Sequence, residues 1–568
     1  MISSAYTTRC AKMTFILAIC SCLINCSSGS SQDEQTTAQQ AQLNQKQEDT
    51  EQEPVAMAHV QQRKREMSQA EMMYGVAPAY LASVPAEPLF QPQPKYDDKF
   101  SEFNTNPVKQ VAEHPVSTFS ADVDTASYSF VRKRLNSGYL PDKDAVRLEE
   151  MVNYFDYNYP MPDSAAEPFK ASVVVHDSPW AAHRKLIHIG IQGYELPVVE
   201  QPDSNLVFLL DVSGSMNATD KLPLVKQSVK LLLNTLKPTD TIAIVVYAGA
   251  AGTVLEPTRV SESATILAAL NNLQAGGSTA GGQGLQLAYQ LAEQHFNQAG
   301  VNRVLLATDG DFNVGISDPD SLAEFVERKR DSGIFLSVIG FGRGNYNDHL
   351  MQSLAQNGNG IAAYIDTLSE AQKVFVEEAT SSLFPIANDL KIQVEFNPQV
   401  VREYRLLGYE TRALKEEDFS NDNVDAGDIG SGHSVTAIYE ITLQGEPGAF
   451  LEPRRYTQPQ VANSKAEGEL GYLKIRYKLP EQQQSQLLEQ PIAMNANSVS
   501  EALLEEAKFA AAVAGFSQLI KDAKYTGDWR IDDAFNLALA NKGEDYFGYR
   551  SEFTQLIRQA KSAEPTDF

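Results

Sequence analysis

The stretch LVFLLDVSGSMN, residues 206–217, is an apolar run of strand length that empties into three oxygen-bearing side chains at alternate positions. Those side chains are Asp211, Ser213 and Ser215, with Gly214 between the two serines. A buried strand ending this way can curl its loop so that one carboxylate and two hydroxyls meet at a point. Hard oxygen ligands of this kind suit Mg²⁺, Mn²⁺ or Ca²⁺ and not zinc. Taken singly, a Ser or Asp after a strand is more often a turn or helix-cap residue. A metal reading therefore needs matching residues elsewhere in the chain.

Two further segments supply them. GGSTAGG places Thr279 in a glycine-rich loop before an amphipathic helix, and LLATDGDFN places Asp309 at the end of a second apolar strand. An Asp-x-Ser-x-Ser run followed by a distant Thr and a distant Asp-Gly resembles the metal-ion-dependent adhesion site (MIDAS) of von Willebrand factor type A (VWA) domains. The resemblance implies that Ser213 and Ser215 ligate an ion directly, and that Asp211, Thr279 and Asp309 bind it directly or through water. It also implies Mg²⁺, with Mn²⁺ or Ca²⁺ as alternatives, and one coordination position left open for a partner's carboxylate.

Outward from this motif, residues 204–383 alternate strand and helix patterns. Strands are expected at Leu206–Leu210, Thr241–Tyr247, Val301–Ala307, Ile334–Phe341 and Ala362–Ile365, with helices beginning near Lys221, Glu262, Gly281, Pro319 and Asn347. Such alternation predicts an α/β fold, a doubly wound and mostly parallel sheet, with Thr253–Leu255 as an antiparallel edge. Ligands of such sheets bind at the carboxyl ends of strands, where Asp211 and Asp309 fall.

Period-two stretches flank this domain on both sides. FKASVVVHDS and KLIHIGIQGYE lie upstream within 166–203, and LKIQVEFNP, SVTAIYEITL and GYLKIRYKL lie downstream within 384–490. They predict a β-sandwich into which the α/β domain is inserted. Residues 96–165 read as helical, with Thr125 capping a first helix and LPDKDAVRLEEMVNYF forming a second. Residues 491–568 read as a second helical part with Trp529, Phe535 and Phe553 in its core.

With 568 residues and 43% hydrophobic content, the chain can bury several cores and is expected to form two to four domains. Its formal charge of −26 opposes binding to nucleic acid. The four cysteines, Cys10, Cys20, Cys22 and Cys26, all precede residue 27, so the folded body is expected to have no disulfides. Arg9 and Lys12 precede an apolar run from Met13 to Ile24, which is too short for a spanning helix and suits a signal peptide over 1–25. Its cysteine-rich end resembles a bacterial lipoprotein signal, with Cys26 as the expected lipidated residue and Cys22 as the alternative. Neither is followed by Asp, which in enteric-type bacteria implies an outer-membrane lipoprotein, facing the periplasm or the surface. The Gln-, Glu-, Ser- and Pro-rich segment 26–95 then reads as a disordered tether.

Motifs beyond the metal residues extend the likeness. STFSADVDTASY, RLEEMVNYFDYNYP, YAGAAGTVLEPT, GFGRGNYND, YRLLGYE and VDAGDIGSGHSVTA are together similar to a family of Gram-negative lipoproteins in which a VWA domain is flanked by an N-terminal segment and a C-terminal domain of uncharacterised role. The function expected from these residues is metal-dependent capture of a protein partner that presents an acidic side chain. A structural envelope scaffold or assembly factor is the alternative, and a metal-dependent hydrolase a more remote one. Hydrolysis would need a general base, and the only histidines in the α/β domain, His295 and His349, sit in no nucleophile motif. The chain is therefore read as a non-enzyme. The loop with Asp422, Asp425 and Asp428 misses the EF-hand spacing and reads as a glycine-rich turn.

Overall fold

Three layers are visible in the computed structural model, which describes residues 100, 102–121, 124–277, 281–310, 319–342, 347–452, 468–480, 482–494 and 499–565. The chain first lays down β1 (Lys109–Gln110) and β2 (Val116–Ser120), then helices α1 (Ala126–Asn136) and α2 (Leu148–Val152), then β3 (Phe169–Asp177) and β4 (Arg184–Gly193). An α/β unit follows with strands β5 (Ser204–Asp211), β6 (Thr241–Tyr247), β7 (Ala251–Arg259), β8 (Val301–Thr308), β9 (Phe335–Phe341) and β10 (Ala362–Ile365). Its helices are α3 (Leu222–Leu233), α4 (Ser263–Asn272), α5 (Gly281–Gln294), α6 (Pro319–Asp331), α7 (Asp348–Asn357), α8 (Leu368–Gln372) and α9 (Ala379–Leu383). The remainder comprises β11 (Pro385–Phe396), β12 (Val401–Leu407), β13 (Ala413–Leu414), β14 (Gly427–Gly430), β15 (Ser434–Leu443), β16 (Glu469–Lys478) and β17 (Gln486–Ala493), closed by helices α10 (Glu501–Lys521), α11 (Ile531–Ala540) and α12 (Tyr549–Ala560).

The α/β sheet has the order β10-β9-β8-β5-β6-β7, with β7 antiparallel at the edge and the other pairings parallel. Every residue of β5 and β8 is buried, as the apolar runs Leu206–Leu210 and Val304–Ala307 require of central parallel strands. Separate cores cover the two faces. Helix α5 approaches closely because Gly284 has no side chain: a Cβ there would lie 2.9 Å from Tyr247 Cβ and 3.0 Å from Leu209 Cδ1.

Two antiparallel sheets, ordered β1-β12-β15-β4-β3 and β13-β2-β11-β16-β17, share one apolar core and form the expected sandwich. The α/β unit is inserted between β4 and β11. A helical layer packs outside: α1 and α2 share a core with α10, α11 and α12, which also takes in Trp180 and Leu186 from the sandwich. Phe553 is at its centre, whereas Trp529 and Phe535 are half-buried.

The structure corrects the reading of 96–165 in two ways. Residues 109–120 are not helical, because β1 pairs with β12 and β2 with β11, partners nearly 300 residues away. The expected helix over LPDKDAVRLEEMVNYF is also broken. Asp142 caps a short 3₁₀ turn at Lys143–Ala145, Val146 and Arg147 are extended, and only Leu148–Val152 is α-helical. Arg147 is drawn instead to Asp348 at the start of α7, beside its local pair with Glu150, while its N–H donates to Ser127 Oγ at 3.0 Å. Tertiary partners override the helical propensity here. The expected signal peptide, the lipidation candidates Cys22 and Cys26 and the tether lie outside the described residues.

Arg132 of α1 ties the helical layer to the α/β unit. Its buried guanidinium meets Asp366 after β10, Glu370 of α8 at 2.8 Å and Glu552 of α12 at 3.3 Å, and it donates to Tyr154 Oη at 3.1 Å. Tyr154 in turn donates to Glu370 at 2.8 Å. Replacing Arg132 by Met would leave Glu370 and Asp366 buried without their counter-charge. The expected loss is about 3–5 kcal/mol of stability, read as a lowered urea midpoint; an unchanged midpoint would contradict this role.

Candidate metal centre

Parallel pairing of β5 with β8 sets Leu210 opposite Ala307, so that Asp211, the last residue of β5, and Asp309, one past β8, emerge together at the carboxyl edge of the sheet. Both carboxylates are buried, Asp211 completely. Asp211 Oδ1 accepts from the Ser213 N–H at 2.8 Å, which bends the chain into a 3₁₀ turn at Gly214–Asn217. Met216 is buried beneath that turn while Ser215 is exposed, and the Oγ atoms of Ser213 and Ser215 lie 3.0 Å apart.

The glycine-rich loop is fastened to the same turn. The Gly276 N–H donates to Val212 O at 2.7 Å, and the Gly214 N–H donates to Gly277 O at 3.0 Å. Thr279 itself lies outside the described residues. The structure thus brings together four of the five residues expected as ligands, namely Asp211, Ser213, Ser215 and Asp309.

Among the described residues Asp211 Oδ2 and Asp309 Oδ1 are buried without a hydrogen-bond partner of good geometry, with the Tyr247 hydroxyl lying beside the Asp211 carboxylate. Orphaned carboxylate oxygens are costly unless a cation reaches them. Burial pushes the Asp211 carboxyl up to about 6; the Ser213 backbone N–H opposes that shift and the negative charge of Asp309 adds to it. Two carboxylates and two hydroxyls are the donor set that hard divalent ions take. Among the described residues no cluster of three or more His, Cys, Asp or Glu side chains could hold an ion.

Sequence reading missed Lys221. This residue precedes α3 and carries no motif, yet its Nζ donates to Asp309 Oδ2 at 2.8 Å from a largely buried position. The histidines weighed as bases are exposed, and Asn205, at the opposite end of β5 from Asp211, donates to the carbonyl of His295. The aspartates of the 422–428 loop have dispersed protein partners: Arg476 for Asp422, Arg330 for Asp425 and the Asp389 N–H for Asp428. Asp124, in the STFSADVDTASY motif, is buried and accepts from Ala362 N–H at 2.9 Å and from Arg412 at 3.1 Å.

Family models match the chain in three consecutive pieces: von Willebrand factor over 94–188, von Willebrand factor type A domain over 205–378, and the C-terminal part of the uncharacterized protein YfbK over 381–563. The chain is 46% identical over 468 residues to the uncharacterized protein YfbK of Escherichia coli K12, covering 81% of each chain. It is 25% identical over 282 residues to inter-alpha-trypsin inhibitor heavy chain H3 of Pongo abelii, covering 46% of this chain and 31% of that one. A solved von Willebrand factor type A protein from Catenulispora acidiphila is 17% identical, covers 71% of this chain and 91% of its own, and superposes with a TM-score of 0.39. The extent of the match to the E. coli protein, running through all three pieces, places the chain in the YfbK-like family of von Willebrand factor type A domain proteins.

Proposed function

We propose that this protein is a membrane-anchored envelope lipoprotein that captures a protein partner through a divalent ion held by Asp211, Ser213, Ser215, Thr279 and Asp309, and that it is not an enzyme. The observation that carries the reading is a pair of buried carboxylate oxygens, Asp211 Oδ2 and Asp309 Oδ1, left without a hydrogen bond of good geometry among the described residues, beside two hydroxyls at the carboxyl edge of a parallel sheet. Bound Mg²⁺, or Mn²⁺ or Ca²⁺, would supply a Lewis-acidic centre with a position open to an acidic side chain of the partner. Asp211 and Asp309 would supply negative charge, Ser213 and Ser215 neutral oxygens, and the buried strands would keep the pair from moving apart. Anchoring through Cys26, or Cys22, and the tether of 26–95 supports an outer-membrane location. The acidic balance of the chain argues against nucleic acid as partner.

Capture from an envelope extract should require Mg²⁺ and be abolished by Asp211→Ala, with the variant still folded by circular dichroism. Equal capture in EDTA would favour the scaffold reading instead. Turnover of phosphate or ester substrates, lost on mutating Asp309, would favour a hydrolase.

A second prediction follows from the raised carboxyl of Asp211. Its folded value of about 6 lies above the unfolded value, so in metal-free protein its stabilising contribution is present at low pH and is lost as pH rises through 6. Asp211→Asn should therefore stabilise the metal-free protein by about 3 kcal/mol at pH 7.5. The gain should vanish below about pH 4. Mg²⁺ should raise the melting temperature of wild type and leave that of Asp211→Asn nearly unchanged; equal shifts in both would count against Asp211 as a ligand.

A further inference from the structure

We infer that Lys221 is a tethered cation that neutralises Asp309 in the metal-free protein and must leave the pocket before a divalent ion is bound. This inference rests on the metal reading above and adds a competitor to it.

Three observations point to the role. The Lys221 ammonium lies 2.8 Å from Asp309 Oδ2, on a carboxylate that would hold the ion, and both side chains are largely buried. The lysine stem is guided there by Gly342, which directly follows β9: a Cβ on that glycine would come within 2.3 Å of Lys221 Cγ and 2.7 Å of Cε. The bare backbone thus forms the groove in which the stem lies. Finally, the match is incomplete, because Lys221 serves Asp309 Oδ2 while, among the described residues, nothing donates to Asp309 Oδ1.

A single positive charge therefore half-neutralises a site built from two carboxylates. A divalent ion would satisfy both, but the ammonium beside it would repel it across a poorly screened interior. Lysine is suited to yield, since it is a point charge on a flexible four-carbon stem. Residues Asn217, Ala218 and Thr219 just before it are exposed, so a path to solvent is close. The exchange of one cation for another makes the site respond to divalent concentration: below a threshold the lysine holds the pocket closed on itself, above it the ion replaces the lysine and opens a coordination position.

Titration calorimetry of the full chain with MnCl₂ tests this, comparing wild type, Lys221→Met, Lys221→Arg and Asp211→Ala. Lys221→Met should bind Mn²⁺ at least about tenfold more tightly than wild type, because a nearby like charge has been removed. Lys221→Arg should stay near wild type, and Asp211→Ala should not bind. Equal affinity in wild type and Lys221→Met would overturn the inference and leave the metal site standing. Absence of binding in every variant would overturn both.

A second measurement needs no substitution at Lys221. Amine-reactive labelling read by mass spectrometry should find Lys221 protected in EDTA and labelled when Mn²⁺ is present. Asp211→Ala should show no such metal-induced increase. Mn²⁺ binding with Lys221 still protected would also overturn the displacement.

Discussion

Two like charges, Asp211 and Asp309, are carried into the interior together because the strands that bear them pair in parallel. Leu210 opposite Ala307 leaves no freedom in the matter: wherever β5 and β8 end, the next polar residues of each end there too. Buried carboxylates side by side demand a counter-charge. The surroundings are arranged around that demand. Ser213 donates its N–H to one oxygen, the glycine loop clamps the turn through Gly276 and Gly277, and Lys221 reaches in from the start of α3 to cover part of the deficit. The same burial that makes the pair costly is what gives a cation reason to enter.

This edge is held steady by elements far from it in sequence. The α/β unit is an insertion between two sandwich strands, and the helices before it and at the end of the chain meet in a single core. Asp124 joins the first residue of β10 to Arg412, and Arg132 joins α1 to the exit of β10, to α8 and to α12. Both clusters are buried ion pairs whose members are individually expensive to orphan. They fix where the α/β sheet sits against its flanks, and a loop site is precise only on a frame of that kind.

Membership of the YfbK-like family accounts for the full succession of pieces, since its models divide the chain near 188 and 378, close to the ends of β4 and α9. The geometry adds what a family match alone does not contain: the buried carboxylate oxygens left open among the described residues, the lysine that half-fills the pocket, and the glycine groove that directs it.

The sequence by itself determined the α/β unit and most of its site. Thr241–Tyr247 and Ala362–Ile365 occur as read, the other parallel strands differ by one or two residues at their ends, and Asp211, Ser213, Ser215 and Asp309 converge. The reason is physical: strand and helix periodicity are local, and a parallel sheet puts every strand exit on one edge. What only the tertiary structure decided has partners distant along the chain. β1 and β2 are strands because β12 and β11 accept them, the helix expected after Leu140 breaks because Arg147 reaches Asp348 and gives its N–H to Ser127, and Lys221 enters the site because Gly342 leaves it room. None of these has a local pattern, since each depends on a hydrogen bond, an ion pair or an empty volume that exists only once the chain has folded.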